Sequence, residues 1–369
     1  MFPADPHRLV ADQPLPARVD FPQSSTASEA ATLRLGAALA SDTPFAERLT
    51  HFWANHFAVS ADKLVTIGLA GALEFEAIRP NLTGRFADML LAVARHPAML
   101  LYLDQAGSVG PESPLAQAVR ARGQPRQPGL NENLAREILE LHTLGVDGGY
   151  TQADVGELAR ALTGWSIGGF ARGPLRRMVA DAGPPGRFAF LEPMHQPGAR
   201  TLLGKHYPAG GARQAEAMLR DLAVHPATAT HLATKLARHF VADTPPPALV
   251  ARLARVHLQT GGDLGAVTRA LVEAPEAWGQ PLAKFRDPWD WSVASLRALG
   301  EREASLPMLA MLRELGMPPW RPGSPAGWPD TQADWAGPDA LMRRVEAADR
   351  LATTIGRAQD ARALAPALL

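Results

Sequence analysis

From Ser28 onward the apolar residues recur at three- and four-residue intervals. That is the period of a helix packing one face, and the two-residue alternation of a half-buried strand is almost nowhere to be found. Leu33, Leu35, Ala38, Leu39, Phe45 and Leu49 fit one or two amphipathic helices up to Ala58. "DTPFAERLTHFWANHF" opens like a helix, with Asp42 or Thr43 as N-cap, Pro44 in the first turn and Glu47 close behind. The same period predicts helices over 68–78, 82–94 and 97–102, several across 211–277, one segment over 286–315, and a last helix from Pro338 to about Ala358. The pattern describes a mainly α, multi-helical chain. With 369 residues it can bury one large core or two intimate ones.

Proline and glycine mark where the helices stop. Residues 1–28 are proline-rich and aperiodic, which predicts an extended N-terminal arm ahead of a helical domain over 29–369. Residues 105–130, rich in Gly, Pro, Gln and Ser, read as a loop. "NENLAREILELHTLG" (131–145) then reads as one helix, stopped by Gly145, Gly148 and Gly149 and followed by a second helix capped at Thr151. Residues 166–210 form a Gly/Pro-rich loop insertion, with a small β-hairpin suggested by runs such as "RFAFL". So long an insertion in a compact protein is usually a functional or a disordered loop.

The charge balance excludes some partners. Lys plus Arg and Asp plus Glu number 37 each and the isoelectric point is about 7.2, so no global field draws nucleic acid or an anionic membrane. No run approaches a membrane span. The opening "MFPADPHRLVADQPLPARVD" lacks the apolar stretch of a signal peptide, giving a cytoplasmic expectation for the chain as written. With no cysteine, disulfides, thiolate zinc sites and cysteine nucleophiles are out. A Walker A loop, GxSxG elbow, HExxH helix and strand-borne GxGxxG are all missing, so no nucleotide cofactor is expected.

Polar residues concentrate in a few stretches. Glu132, Arg136 and Glu140 follow one another at i, i+4 and i+8, a solvated ion-pair ladder if the face is exposed. Glu137 and Glu140, at i and i+3, could instead converge on a metal or share a proton. His56 stands among Trp53 and Phe57, where a histidine is more commonly a hydrogen-bonded core residue than a ligand. "MHQPGARTLLGKHYPAGG" offers His195, Arg200, Lys205 and His206 in the flexible insertion, as ligand contacts or plain surface. His225 before Pro226 looks like a helix-start residue, and Lys235 with His239 like a solvated edge. The tryptophans of "PPWRPGSPAGWPDTQADW" could stack on a ligand, or pin a long coil to the helices.

Taken together and in order, "RLTHFWANHFAVSADK", the NEN-to-ARALTGW block, "MHQPGARTLLG", "HPATATHLATKLARHFV" and "SPAGWPDTQADW" resemble the bacterial family of unknown function DUF1800, over about 45–350. The family pattern carries over to Trp53, Asn55 and His56; to Asn131, Glu132, Asn133, Arg136, Glu137 and Glu140; to Arg160, Thr163, Gly164 and Trp165; and to His195. This chain has Gln196 where relatives often have Asp, and His142 where they frequently have Phe, which makes 142 a packing position. Relatives are often exported to the periplasm.

The resemblance implies a polar site made of His56, Glu132, Arg136, Glu137, Glu140 and His195. Within it Glu137, His56, Arg136 and His195 would be catalytic, and Asn131, Glu132, Asn133, Arg160 and Trp165 would bind substrate. His56, Glu137, Glu140 and His195 would be the ligands of any divalent metal, with Zn, Mn or Fe suited to imidazole and carboxylate donors. The expected activity is a metal-dependent hydrolase or oxidoreductase. The competing expectation is a non-catalytic accessory scaffold for a DUF1501-type partner, the polar cluster being a structural network.

Overall fold

The computed structural model describes residues 27–123, 128–171, 173–178, 183–279 and 284–354. Nearly all of the arm expected over 1–28 therefore lies outside the described residues, as does the expected end of the last helix near Ala358. Helices dominate, and the strands form two small two-stranded sheets. No described helix is long and apolar enough to cross a membrane.

Helix α1 (Ala27–Ala40) and α2 (Pro44–His56) match the expected pair. Thr43 is the N-cap of α2, and Phe52, Trp53 and His56 turn inward from it. Helix α3 (Ala70–Leu73) runs straight into a π-helical turn, Glu74–Ile78, which carries Glu74 inside. There it meets Arg34 at 2.8 Å and Arg79 at 3.1 Å, and Arg79 also grips Glu47 through both guanidinium nitrogens. A buried carboxylate needs such paired donors to stay charged. Helices α4 (Phe86–Arg95) and α5 (Pro97–Tyr102) follow as the period predicts.

The stretch read as a 105–130 loop contains a helix, α6 (Pro114–Ala121). Ser113 caps it by accepting from the Ala116 amide, and Leu115, Ala116 and Val119 bury one face. They join Ala171, Leu175, Ala189, Leu191 and Met194 of the insertion in a small apolar cluster of their own. Eight residues are too few for periodicity to stand out against flanking Gly and Pro, which is why the helix was illegible.

The single helix expected over 131–145 is also not one. It is a short α7 (Asn133–Glu137) that widens into a π-helical turn, Ile138–His142. Thr143 Oγ1 donates back to the Ile138 carbonyl at 2.6 Å, and two outside histidines occupy the next carbonyls: His231 Nε2 lies 3.0 Å from Leu141 O and His56 Nε2 3.2 Å from His142 O. Side chains thus satisfy acceptors that a longer α-helix would have paired itself. Helix α8 (Gln152–Leu162) begins at a full capping box between Thr151 and Asp154.

In the insertion, β1 (Trp165–Ile167) pairs antiparallel with β2 (Phe188–Phe190), and α9 (Gly173–Met178) lies between them in sequence. β3 (Arg200–Leu202) and β4 (Lys205–Tyr207) make the hairpin, though further along than "RFAFL". Leu203 and Gly204 at its tip both have positive φ, the two-residue turn that suits the twist of paired strands. The Leu203 amide donates to Asp154 Oδ1 at 2.8 Å, so one aspartate both caps α8 and docks the hairpin on it.

Helices α10 (Ala212–Ala223), α11 (Pro226–Phe240), α12 (Pro247–Gln259) and α13 (Leu264–Glu273) pack in succession, with His225 as the N-cap of α11. α14 (Pro275–Trp278), α15 (Pro288–Ala298) and α16 (Leu306–Glu314) lead to the coil before α17 (Gln332–Trp335) and α18 (Pro338–Thr354). The tryptophans do pin that coil. Trp320 and Trp335 are buried, and Asn55 holds the backbone of Trp328 at both its amide (2.7 Å) and its carbonyl (2.9 Å). Lys235 and His239 are not a solvated edge: His239 is buried against Asp330 at 3.2 Å, and enclosure lowers the Lys235 ammonium to about 8. The α11 face they share is turned into the core, so polar residue type misled there.

Candidate functional site

The residues at the opening of α7 pack against those of α8 and bond to them directly. Asn131 sets the turn into the helix, accepting the Asn133 amide on its side chain at 2.8 Å while its own amide donates to Ser108 Oγ at 3.0 Å. Asn131, Glu132 and Asn133, with Asp104, Gly107, Gly129 and Leu130, line a cavity of about 550 Å³. One turn on, Gln152 bridges Arg136 and Glu132, accepting from the first at 2.9 Å and donating to the second at 2.8 Å. The direct Arg136–Glu132 contact is looser, 3.4 Å. The expected ladder therefore closes on α8 instead of continuing to Glu140.

Gln152, Gly156 and Arg160 form an i, i+4, i+8 stripe on α8. Gly156 leaves the middle open: the position its Cβ would take lies 3.4 Å from Arg160 Nη1 and 3.8 Å from Glu132 Oε1. Arg160 donates to Glu157 at 2.7 Å, and Arg200 from β3 approaches the same carboxylate at 3.9 Å. Arg200 is itself folded onto its own loop, its Nη2 donating to the carbonyls of Gln196 (3.4 Å) and Pro197.

His195 closes this end. Its Nδ1 is 2.9 Å from the Thr163 carbonyl, which makes Nδ1 the protonated nitrogen, and Nε2 has no hydrogen-bond partner among the described residues. Thr163 Oγ1 accepts the Gln196 amide at 2.8 Å, fixing the next residue too. Gly164 permits the approach. Its φ is +84°, and a Cβ would sit 2.9 Å from the Leu191 carbonyl and 3.3 Å from His195 Cβ. Burial, reinforced by the Arg200 charge, holds the ring's pKa below 6.5 against the opposing Thr163 bond and Glu192. The neutral tautomer with a free Nε2 lone pair is what a proton acceptor requires.

Glu137 and Glu140 face another way. Glu137 is half-buried beside Tyr102, and its carboxyl is raised by burial and by Glu140, with Arg136 opposing. Glu140 takes a long hydrogen bond from Tyr150 at 3.4 Å.

The implied single cluster is not assembled. His56 is 1% exposed in an aromatic nest of Phe52, Trp53, Phe57 and Phe86, with His142 and His231 about 6 Å away between ring centres. Trp165 is wholly buried below Phe188, with Arg95 stacked on its ring, and does not reach this site. The donor set His56, Glu137, Glu140 and His195 does not fit a common metal ion, since His56 Nε2 and His195 Nδ1 are engaged by separate backbone carbonyls. Among the described residues no group of three or more His, Asp or Glu is arranged to hold one.

Gln152 and Glu157 were missed as site residues, and Arg200 reads in the sequence only as one of several polar groups of the insertion. The α8 stripe was readable in the sequence; the convergence of β3 on it was not, because the hairpin turn at 203–204 carries Leu where glycine or asparagine would have announced it.

Fold and site define a mainly α-helical protein whose polar site is walled by a π-interrupted helix, a glycine-notched helix and a looped insertion. The chain belongs to the family described as "Protein of unknown function (DUF1800)", which it matches over residues 8–369. No curated protein and no solved structure matches it.

Proposed function

We propose that the protein is an enzyme that moves a proton on a small polar substrate held beside α7 and α8, with Nε2 of His195 as acceptor. The observation that carries the reading is the fixed ring of His195, locked through Nδ1 to Thr163 with no hydrogen bond to its other nitrogen among the described residues, and with the Arg200 charge near enough to act on the ring. Arg160 and Arg200 would orient polar oxygens, and Asn131, Glu132 and Asn133 would bind the remainder of the substrate in the adjoining cavity. A hydrolysis fits this set, with His195 taking a proton from water. His56 Nε2 and His195 Nδ1 are engaged by separate backbone carbonyls, so the acid–base step is carried by protein groups alone.

The test is to incubate the full chain and its His195→Gln variant with a mixed metabolite extract and compare them by mass spectrometry. Conversion by the wild type alone, with matching circular dichroism, supports the reading; conversion by both removes His195 from the chemistry.

A second reading has its own support. The Glu132–Gln152–Arg136 triangle and the Asn55 clamp use family-pattern residues to hold elements together. In a scaffold for a DUF1501-type partner those bonds would be the whole purpose of the pattern, and no extract would be converted.

A further inference from the structure

We propose that the Arg160–Arg200 end of the site is an anion subsite, which seats a carboxylate or phosphate group of the substrate next to His195. The inference rests on the acid–base reading above and names the substrate class for the same site.

Three arginines line this wall, Arg136, Arg160 and Arg200, against two glutamates, Glu132 and Glu157. Arg136 and Glu132 neutralise each other through Gln152, so Arg160 and Arg200 are left to share Glu157 and one positive charge is unmatched. Arg200 shows most clearly what is lacking. Its side chain is only 10% exposed, and its Nε–H is enclosed without an acceptor. Nη1 is not enclosed in this way and among the described residues only the distant Glu157 carboxylate approaches it, so it is the part of the guanidinium that an arriving anion could complete.

The group is also pre-positioned. Two backbone carbonyls hold Nη2, so the guanidinium plane is set before any ligand binds. Planar paired N–H groups fit the oxygens of a carboxylate or phosphate. The weak 3.9 Å approach of Glu157 marks it as the competitor the anion displaces from Arg200, while its 2.7 Å bond to Arg160 persists. His195, neutral and next to Arg200, does not repel the anion and has its free nitrogen on hand.

The experiment is titration calorimetry of the full chain with inorganic phosphate and, separately, acetate, on wild type, Arg200→Gln, Glu157→Gln and His195→Gln. Saturable binding of about one anion per chain is expected, roughly tenfold weaker in Arg200→Gln, as loss of one charge-assisted contact requires. Glu157→Gln, which removes the competing carboxylate, should bind several-fold tighter (about threefold or more), a gain that misfolding cannot imitate. Phosphate tighter than acetate assigns a phosphate-bearing substrate, and the reverse assigns a carboxylate. Absent binding, or equal affinity in wild type, Arg200→Gln and Glu157→Gln, overturns the subsite. His195→Gln should keep the anion within about threefold. Anion binding retained while His195→Gln still converts metabolites would leave the subsite standing and remove the proton-acceptor reading; the converse pair of results would do the opposite.

Discussion

Replacing His142 with phenylalanine should blunt the protein's response to acid. The His142 ring is 2% exposed, 5.0 Å from Phe57 and 6.0 Å from His56 between ring centres. Burial, aided by Lys235 and His231, drops its pKa from 6.5 to about 3. The unfolded chain takes up this proton near 6.5 and the folded chain does not, so the group favours folding fully above 6.5 and less with every step toward 3. One such proton changes stability by about 1.4 kcal/mol per pH unit, or roughly 2 kcal/mol between about pH 6 and 4.5. His231, lowered to about 4, lies in the same nest and adds a comparable slope over most of that interval, and His56, lowered well below 6.5 by burial, acts in the same direction. The nest alone should thus consume several kcal/mol over that interval, a large part of an ordinary domain's ~5–15 kcal/mol. Urea unfolding followed by circular dichroism, at pH steps from neutral downward, measures the slope. His142→Phe should fold, since the ring's neighbours are aromatic, and should lose about one proton of slope. An unchanged slope in a variant with native circular dichroism would refute the assignment of His142 as a neutral buried ring.

Two other variants probe the scaffold. Asn55→Ala removes both hydrogen bonds to the Trp328 backbone and should destabilise by roughly 1–3 kcal/mol, with tryptophan emission shifted to the red as the coil loosens; unchanged urea midpoint and emission would refute the clamp. Gly164→Ala forces a side chain into a φ of +84° against the Leu191 carbonyl, for a loss of roughly 2 kcal/mol or more, and should shift the His195 imidazole resonances as the insertion lifts from α8; resonances left in place would show that the approach is not tight.

Helical periodicity made most of the fold legible because burial of one face is a repeated signal, and it held for α1, α2, α4, α5 and the helices from α10 to α13. It failed at α6, which is short, and at the π turn of 138–142, whose last carbonyls, Leu141 and His142, meet His231 and His56 from distant helices. The candidate site was legible in the same partial way. Asn131, Glu132 and Asn133 line one cavity, Arg136 is bridged to Glu132 through Gln152, and His195 is fixed on the Thr163 carbonyl. His56 and Trp165 belong to the same pattern for packing reasons, and nothing in their spacing separates a residue required by the core from one required by a ligand. Arg200 stood out from the other polar groups of the insertion only when the hairpin laid it near Glu157.

The central claim is that His195 is a neutral ring with its proton on Nδ1. Nitrogen-15 NMR of the imidazole, titrated with pH and assigned with His195→Gln, tests it directly. The account predicts an Nδ1–H tautomer that becomes protonated only below 6.5. An Nε2–H tautomer, or protonation at or above 6.5, would contradict it.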